Sequence, residues 1–230
     1  FTDGTYYDGW SGFFGVDKRI NDKNLLSLVA IVAPTESGRQ GASVTEMTNI
    51  SNNNFYNPYW GYQNGKKRNS SIARSSQPII ILTHDWKVND KTNIITSASY
   101  IFGKRSTTGL DWYNVADPRP DYYRYLPSYQ LDPTMATAVS LALQNNENLR
   151  QINWDKLYQT NYGSFESVAN ANGIIGNTVS GRRSHYIVEN RVTNTNRINL
   201  NSTINTSIGH NVDFSGGLQN DYRLSFSEIL

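Results

Sequence analysis

The run Arg197-Ile198-Asn199-Leu200-Asn201-Ser202-Thr203-Ile204-Asn205-Thr206-Ser207-Ile208 alternates without a slip. Ile198, Leu200, Ser202, Ile204, Thr206 and Ile208 fall on one side. Arg197, Asn199, Asn201, Thr203, Asn205 and Ser207 fall on the other. A period of two over this length predicts a β-strand with one apolar or hydroxylic face and one polar face. Upstream, the same parity carries Asn196 and Asn194, then Val192, Val188 and Tyr186. The strand is therefore expected over about 184–208, and at about 3.3 Å per residue it would reach about 80 Å.

Working outward, Gly209-His210-Asn211 reads as a tight turn, because Gly and Asn accept the positive φ of a short hairpin. The return strand puts Val212, Phe214, Leu218, Tyr222 and Leu224 on one parity. Asn21-Asp22-Lys23 and Asn89-Asp90-Lys91 close two further hairpins of the same form. Six strands are expected, at about 4–20, 24–34, 78–88, 92–103, 184–208 and 212–226. The connections at about 35–77 and 104–183 are far longer than the about 15 residues at which loops become uncommon in compact domains. Successive antiparallel strands place connections at alternate ends, so the short turns share one edge of the sheet and the long loops the other. The second loop carries a helix signal, with Asp132 as cap, Pro133 at the first position and an Ala/Leu/Met run to Gln144. Asn153 to Thr160 reads as another turn or two of helix.

The fold expected is all-β, an antiparallel meander of about six long strands forming part of a transmembrane β-barrel. Short turns on one side, long extracellular loops on the other and alternating strands are what such barrels require. No run of about 18 apolar residues predicts a membrane helix. His84 and Asn220 share the apolar parity and would be costly in lipid. Both ends of the segment read as strand, so it is expected to be a piece of a longer chain, one domain over residues 1–230.

Composition bounds the function. Hydrophobic residues make up 37% and charged residues 17%, both low for a water-soluble domain. The formal net charge of +2 gives no argument for nucleic acid. The Lys66-Lys67-Arg68 cluster reads as a solvated loop in preference to a phosphate site. There is no Cys, which removes disulfides, thiolate metal sites and Cys nucleophiles. His84, His185 and His210 lack ligand spacing. His84 and Asp85 point to opposite faces of one strand and cannot act as a pair. Gly61 to Lys66 is one residue short of a phosphate loop and lacks its Ser/Thr. Asp111, Asp117 and Asp121 do not match a calcium loop. No catalytic residue, metal or cofactor is expected, and the chain does not read as an enzyme. The binding candidates are loop aromatics and arginines: Tyr56, Tyr59, Trp60, Tyr62, Trp112, Tyr113, Arg119, Tyr122, Tyr123, Arg124 and Tyr125. Such side chains can hold a sugar or peptide. The competing reading is that they pack the loops on one another.

Several segments resemble TonB-dependent receptors of the Bacteroidetes outer membrane. They are Asp8-Gly9-Trp10 with Val16-Asp17-Lys18-Arg19-Ile20-Asn21-Asp22-Lys23, then Ala33-Pro34-Thr35 and Gly38-Arg39-Gln40-Gly41-Ala42. The more specific ones are the loop stretches Phe55-Tyr56-Asn57-Pro58-Tyr59-Trp60-Gly61-Tyr62-Gln63-Asn64-Gly65-Lys66-Lys67-Arg68 and Leu110-Asp111-Trp112-Tyr113-Asn114-Val115-Ala116-Asp117-Pro118-Arg119-Pro120-Asp121-Tyr122-Tyr123-Arg124-Tyr125-Leu126-Pro127. The resemblance implies a plugged barrel of about 22 strands in the cell outer membrane, importing a glycan, peptide or metal chelate. It implies lipid around the strands, an energy-coupling TonB complex reached through other parts of the protein, and a surface lipoprotein partner. Plug domain, coupling segment and closing aromatic C-terminus are not found in this stretch. The alternative is a secreted or surface-anchored β-sheet module that binds carbohydrate.

Overall fold

The computed structural model describes residues 2–209 and 212–229. The chain is mostly β, and its strands form an antiparallel curled sheet, a half-barrel. In chain order the first elements are β1 (Tyr6–Gly9), β2 (Gly12–Asn21), β3 (Asn24–Val32), β4 (Thr35–Gly38) and helix α1 (Thr45–Ser51). Then come β5 (Trp60–Gln63), β6 (Lys66–Asn69), β7 (Ile72–Ser76), β8 (Ile79–Asn89) and β9 (Thr92–Trp112). Helices α2 (Pro133–Asn145) and α3 (Trp154–Gly163) precede β10 (Glu166–Val168), β11 (Val179–Gly181), β12 (Tyr186–Ile208) and β13 (Val212–Ile229). Two compact units result. A strand unit takes residues 8–36, 74–106 and 191–230, and a loop unit takes 1–7, 37–73 and 107–190.

In the strand unit the order is β2-β3-β8-β9-β12-β13. The register keeps one parity on one face from edge to edge. Val16 lies opposite Leu28, Leu28 opposite Leu82 and Leu82 opposite Ala98. Thr92, Thr96 and Tyr100 bond to Thr206, Ser202 and Asn196 across the β9–β12 seam at 2.8–2.9 Å. Ile198 then faces Tyr222, and Ser202 faces Leu218. The even-numbered residues thus form a continuous face that is largely uncovered, Val192 excepted. Ile198 is 46% exposed, Leu200 51% and Leu218 83%. No second sheet of the described residues covers them.

The opposite face lies inside the curl. Near the turns a cavity of about 480 Å³ is lined by Arg19 and Leu25 of the first hairpin, Asp85 and Asn93 of the second, and Asn205, Asp213 and Ser215 of the third. The ends of all three hairpins therefore gather at one edge, as their spacing predicts. The inner face is polar along β12 and β13 but carries Leu25, Val29, Ile81 and Ile95 on β3, β8 and β9. Alternation on the last hairpin alone does not reveal that mixture. His84, on the outer face, is not left unpaired: its Nε2 lies 2.9 Å from Asn24 Oδ1. The expected turn residues His210 and Asn211 lie outside the described residues.

Several boundaries differ from expectation. The strand expected over 4–20 forms two, β1 and β2, the last strand runs to Ile229 in place of 226, and the loop expected over 104–183 contains β10 and β11. β9 runs to Trp112, nine residues past its expected end at 103. Lys104, Arg105, Ser106, Thr107 and Thr108 are polar on both parities, so the period disappears there while the pairing continues. The segment expected as loop 35–77 contains β4, β5, β6, β7 and α1. These pieces have only four to seven residues each, too few to show a period. α3 covers Trp154–Gly163, three residues beyond the expected Thr160.

Candidate functional site

The loop unit has its own core, built from two clusters. Met47, Tyr56, Leu126 and Leu143 form one, with Ile50 and Val139 against it. Ile152, Trp154, Leu157 and Tyr186 form the other, with Leu110, Trp112 and Val115. Helices α2 and α3 are capped by side chains, whereas α1 is not. Asp132 accepts from the Thr134 N–H at 2.9 Å and Asn153 from the Lys156 N–H at 3.0 Å.

Two buried asparagines tie the connecting strands together. Asn57 Oδ1 accepts from the backbone N–H groups of Gly41 (3.0 Å) and Tyr59 (3.1 Å). Its Nδ2 donates to the Asp3 (2.8 Å) and Arg39 (3.3 Å) carbonyls. Asn69 donates to the carbonyls of Gly4 (2.9 Å) and Arg39 (2.8 Å) and accepts from the Ser71 N–H (2.8 Å). Every polar group of Asn57 is thus satisfied, as burial demands.

The eleven candidate binding residues separate into two sets. Tyr56 and Trp60 are core. The Tyr56 hydroxyl donates to the Arg150 carbonyl (3.0 Å), and burial pushes its pKa well above the usual tyrosine value. Trp60 is 3% exposed. Its strand also pairs with the chain at Ile152, whose N–H donates to the Trp60 carbonyl at 2.9 Å. At Gly61 a Cβ would fall 1.9 Å from the Ile152 carbonyl oxygen, so no larger residue fits. Tyr59 packs over Gly41, Tyr62 stands edge-on to Trp60 at 5.4 Å, and Trp112 joins the second cluster. Tyr113 is exposed, parallel to His185 at 6.4 Å with the Arg183 guanidinium 4.3 Å from its ring.

The remaining five come together on one surface. Tyr122 stands edge-on to Tyr123 (4.7 Å) and to Tyr125 (5.4 Å). Tyr123 stands edge-on to Tyr129 at 5.3 Å. Tyr123 is 50% exposed and Tyr129 48%. Arg119 lies 5.9 Å from the Tyr122 ring and 5.4 Å from that of Trp112. Its Nε donates to Asp117 Oδ1 at 2.9 Å and its Nη2 to Oδ2 at 2.5 Å, a two-point bond that raises the guanidinium pKa further. Arg124 Nε donates to the Tyr123 hydroxyl at 3.0 Å.

The support beneath is firm. Leu126 is fully buried between the two short 3-10 turns, Tyr123–Tyr125 and Pro127–Tyr129. The Ser128 N–H and hydroxyl both donate to the Glu46 carboxylate on α1. Exposed tyrosine rings and hydroxyls beside two arginines can stack on a sugar ring and bond to its oxygens.

Tyr129 is the member the sequence reading missed, although it lies four residues past Tyr125 in the same aromatic run. Asp117 holds Arg119. Asp121 is buried and accepts weakly from the Val44 N–H at 3.4 Å. Burial pushes the Asp121 carboxyl up from its ordinary value. Among the described residues no group of three or more His, Asp and Glu is placed to hold a metal. No described helix is long and apolar enough to cross a membrane, which says nothing about crossing by strands. Comparison with protein-family models, with curated proteins and with solved structures returns no match.

Proposed function

We propose that this chain is a segment of a TonB-dependent outer-membrane receptor that imports a nutrient such as a glycan, a peptide or a metal chelate. The observation that carries the reading is the polarity of the curl: the apolar face is the outer, exposed one. A water-soluble barrel or sandwich places its apolar face inside. A membrane barrel reverses this, with lipid outside.

Aromatic placement supports the same reading. Trp86 is paired with Ile94, and the stacked Tyr100–Phe102 pair lies six to eight residues further along β9. That is about 20–26 Å along the strand, comparable with an apolar band about 25 Å tall flanked by aromatic girdles. The apolar residues on the inner face of β3 and β8 suit a barrel filled by a plug. The tyrosine–arginine surface of the loop unit is then a first contact for substrate. The alternative, a secreted carbohydrate-binding module, shares that surface but leaves the outer apolar face unexplained.

The test is fractionation of cells making the complete gene product. It should sediment with outer membranes and need detergent for release. Recovery from the soluble fraction without detergent overturns the proposal.

A further inference from the structure

We infer that the β5–β6 hairpin carries a binding site for a ligand bearing an oxyanion: a phosphate, sulfate or carboxylate group. The site is separate from the tyrosine–arginine surface, and it lies within the loop unit, so it does not depend on what surrounds the strands. From sequence, Lys66-Lys67-Arg68 reads as a solvated loop, but the hairpin folds it around an open groove of about 500 Å³. Tyr6, Gln63, Lys66, Lys67, Arg68 and Asn69 line the groove, and among the described residues no carboxylate does. The volume falls within the range of small-ligand sites, about 300–1,000 Å³.

The turn concentrates the charge. Asn64 (φ +50°) and Gly65 (φ +75°) both take left-handed backbone, which sets Gln63 directly opposite Lys66. Arg68 is fixed in place. Its guanidinium stacks on Trp154 at 3.9 Å, and its Nη1 donates to Gln63 Oε1 and the Tyr158 hydroxyl, both at 2.8 Å. The same bond holds the Tyr158 hydroxyl below its ordinary pKa, a mark of the local positive field. Nε and Nη2 have no bonded acceptor among the described residues. A planar fork held this way suits two-point recognition of an oxyanion, and its ordering cost is met before the ligand arrives.

Lys67 alternates to the other face of the hairpin, 4.7 Å from the Trp60 ring centroid and 3.8 Å from Asp3 Oδ1, so the oxyanion site rests on Lys66 and Arg68. Both partners of that ion pair are solvent-accessible, so it screens Lys67 only weakly. Lys66 has no ion pair among the described residues. The balance in the groove stays positive.

The experiment is isothermal titration of the full chain in detergent with four probes: inorganic phosphate, a sulfated hexasaccharide, an oligogalacturonate and neutral maltohexaose. At least one charged probe should bind, with a Kd that rises with salt, and the neutral one should not. Binding by phosphate marks a lone oxyanion; binding only by a charged oligosaccharide marks a glycan. Arg68→Lys keeps the charge but loses the fork, and should weaken binding by about tenfold or more, the loss of one charge-assisted hydrogen bond. Lys66→Glu, on an exposed turn, should do at least as much without affecting the fold. Lys104→Glu, in the strand unit, should change nothing. Binding that survives Lys66→Glu, or no binding by any charged probe, overturns the inference and leaves the membrane proposal standing.

Discussion

The two units of this chain treat apolar side chains in opposite ways. In the loop unit Met47, Leu126, Ile152 and Trp154 are all buried to within about 2% of full cover, and the buried Asn57 and Asn69 pair the backbone groups around them. Among the described residues of the strand unit, Val192 is the only larger apolar residue that is buried, while Leu200, Phe214 and Leu218 stand open. Water explains the first arrangement through the ordinary hydrophobic effect. It does not explain the second, because an uncovered apolar face this large is a liability in water. On the membrane proposal, one covalent chain has parts suited to two solvents.

The largest expected effect tests whether the loop unit is a true folded core. Asn57→Leu keeps the volume but leaves the N–H groups of Gly41 and Tyr59 and the Asp3 carbonyl without partners, while the Arg39 carbonyl keeps its bond from Asn69. Each stranded buried group costs about 1–3 kcal/mol, so the three together cost about 3–9 kcal/mol. Urea denaturation followed by Trp fluorescence should show the loss. A cost below about 1 kcal/mol would mean that water reaches these groups, and that the unit is looser than its burial indicates.

The next effect separates the solvents directly. Leu200→Lys sits on the open outer face. In a bilayer it should destabilise by about 2–4 kcal/mol if the position lies near the midplane. In water an exposed substitution of this kind changes stability by about 0.5 kcal/mol or less. Refolding into lipid vesicles and into detergent-free buffer compares the two, and a similar small change in both would sink the membrane reading. Asn201→Lys, on the inner face next to it, is the control and should be near neutral in either medium.

How much of this was legible beforehand depends on the length of each periodic run. The β12–β13 hairpin keeps one parity for most of its length, so strand, face and turn edge could all be read from Ile198 to Ile208. β4 has four residues and lies between β1 and β7, partners distant in sequence, and the Arg39 N–H just after it bonds to the Ser71 carbonyl. No local pattern encodes that. The candidate site shows the same limit. Aromatic and arginine composition singled out the right segments, yet it could not tell Trp60, a core residue, from Tyr123, a surface one. The difference is made by Ile152, ninety-two positions away, pairing with the strand that carries Trp60.

The smallest effect concerns Asp121, which lies beneath the tyrosine–arginine surface. Burial raises its folded-state pKa above the unfolded value of about 3.9. Between those two pKa values the folded chain holds more proton than the unfolded one, so stability falls as pH rises through that window and is level above it. Asp121→Asn keeps an acceptor for the Val44 N–H and removes the ionisation. It should flatten the pH–stability curve in that window and raise neutral-pH stability by up to about 1 kcal/mol. Attraction to Arg119 opposes this, but that guanidinium already has a two-point bond to Asp117. If the variant proves less stable at pH 7, the charge of Asp121 is needed to orient Arg119, and the surface above it is under tighter electrostatic control than its hydrogen bonds alone indicate.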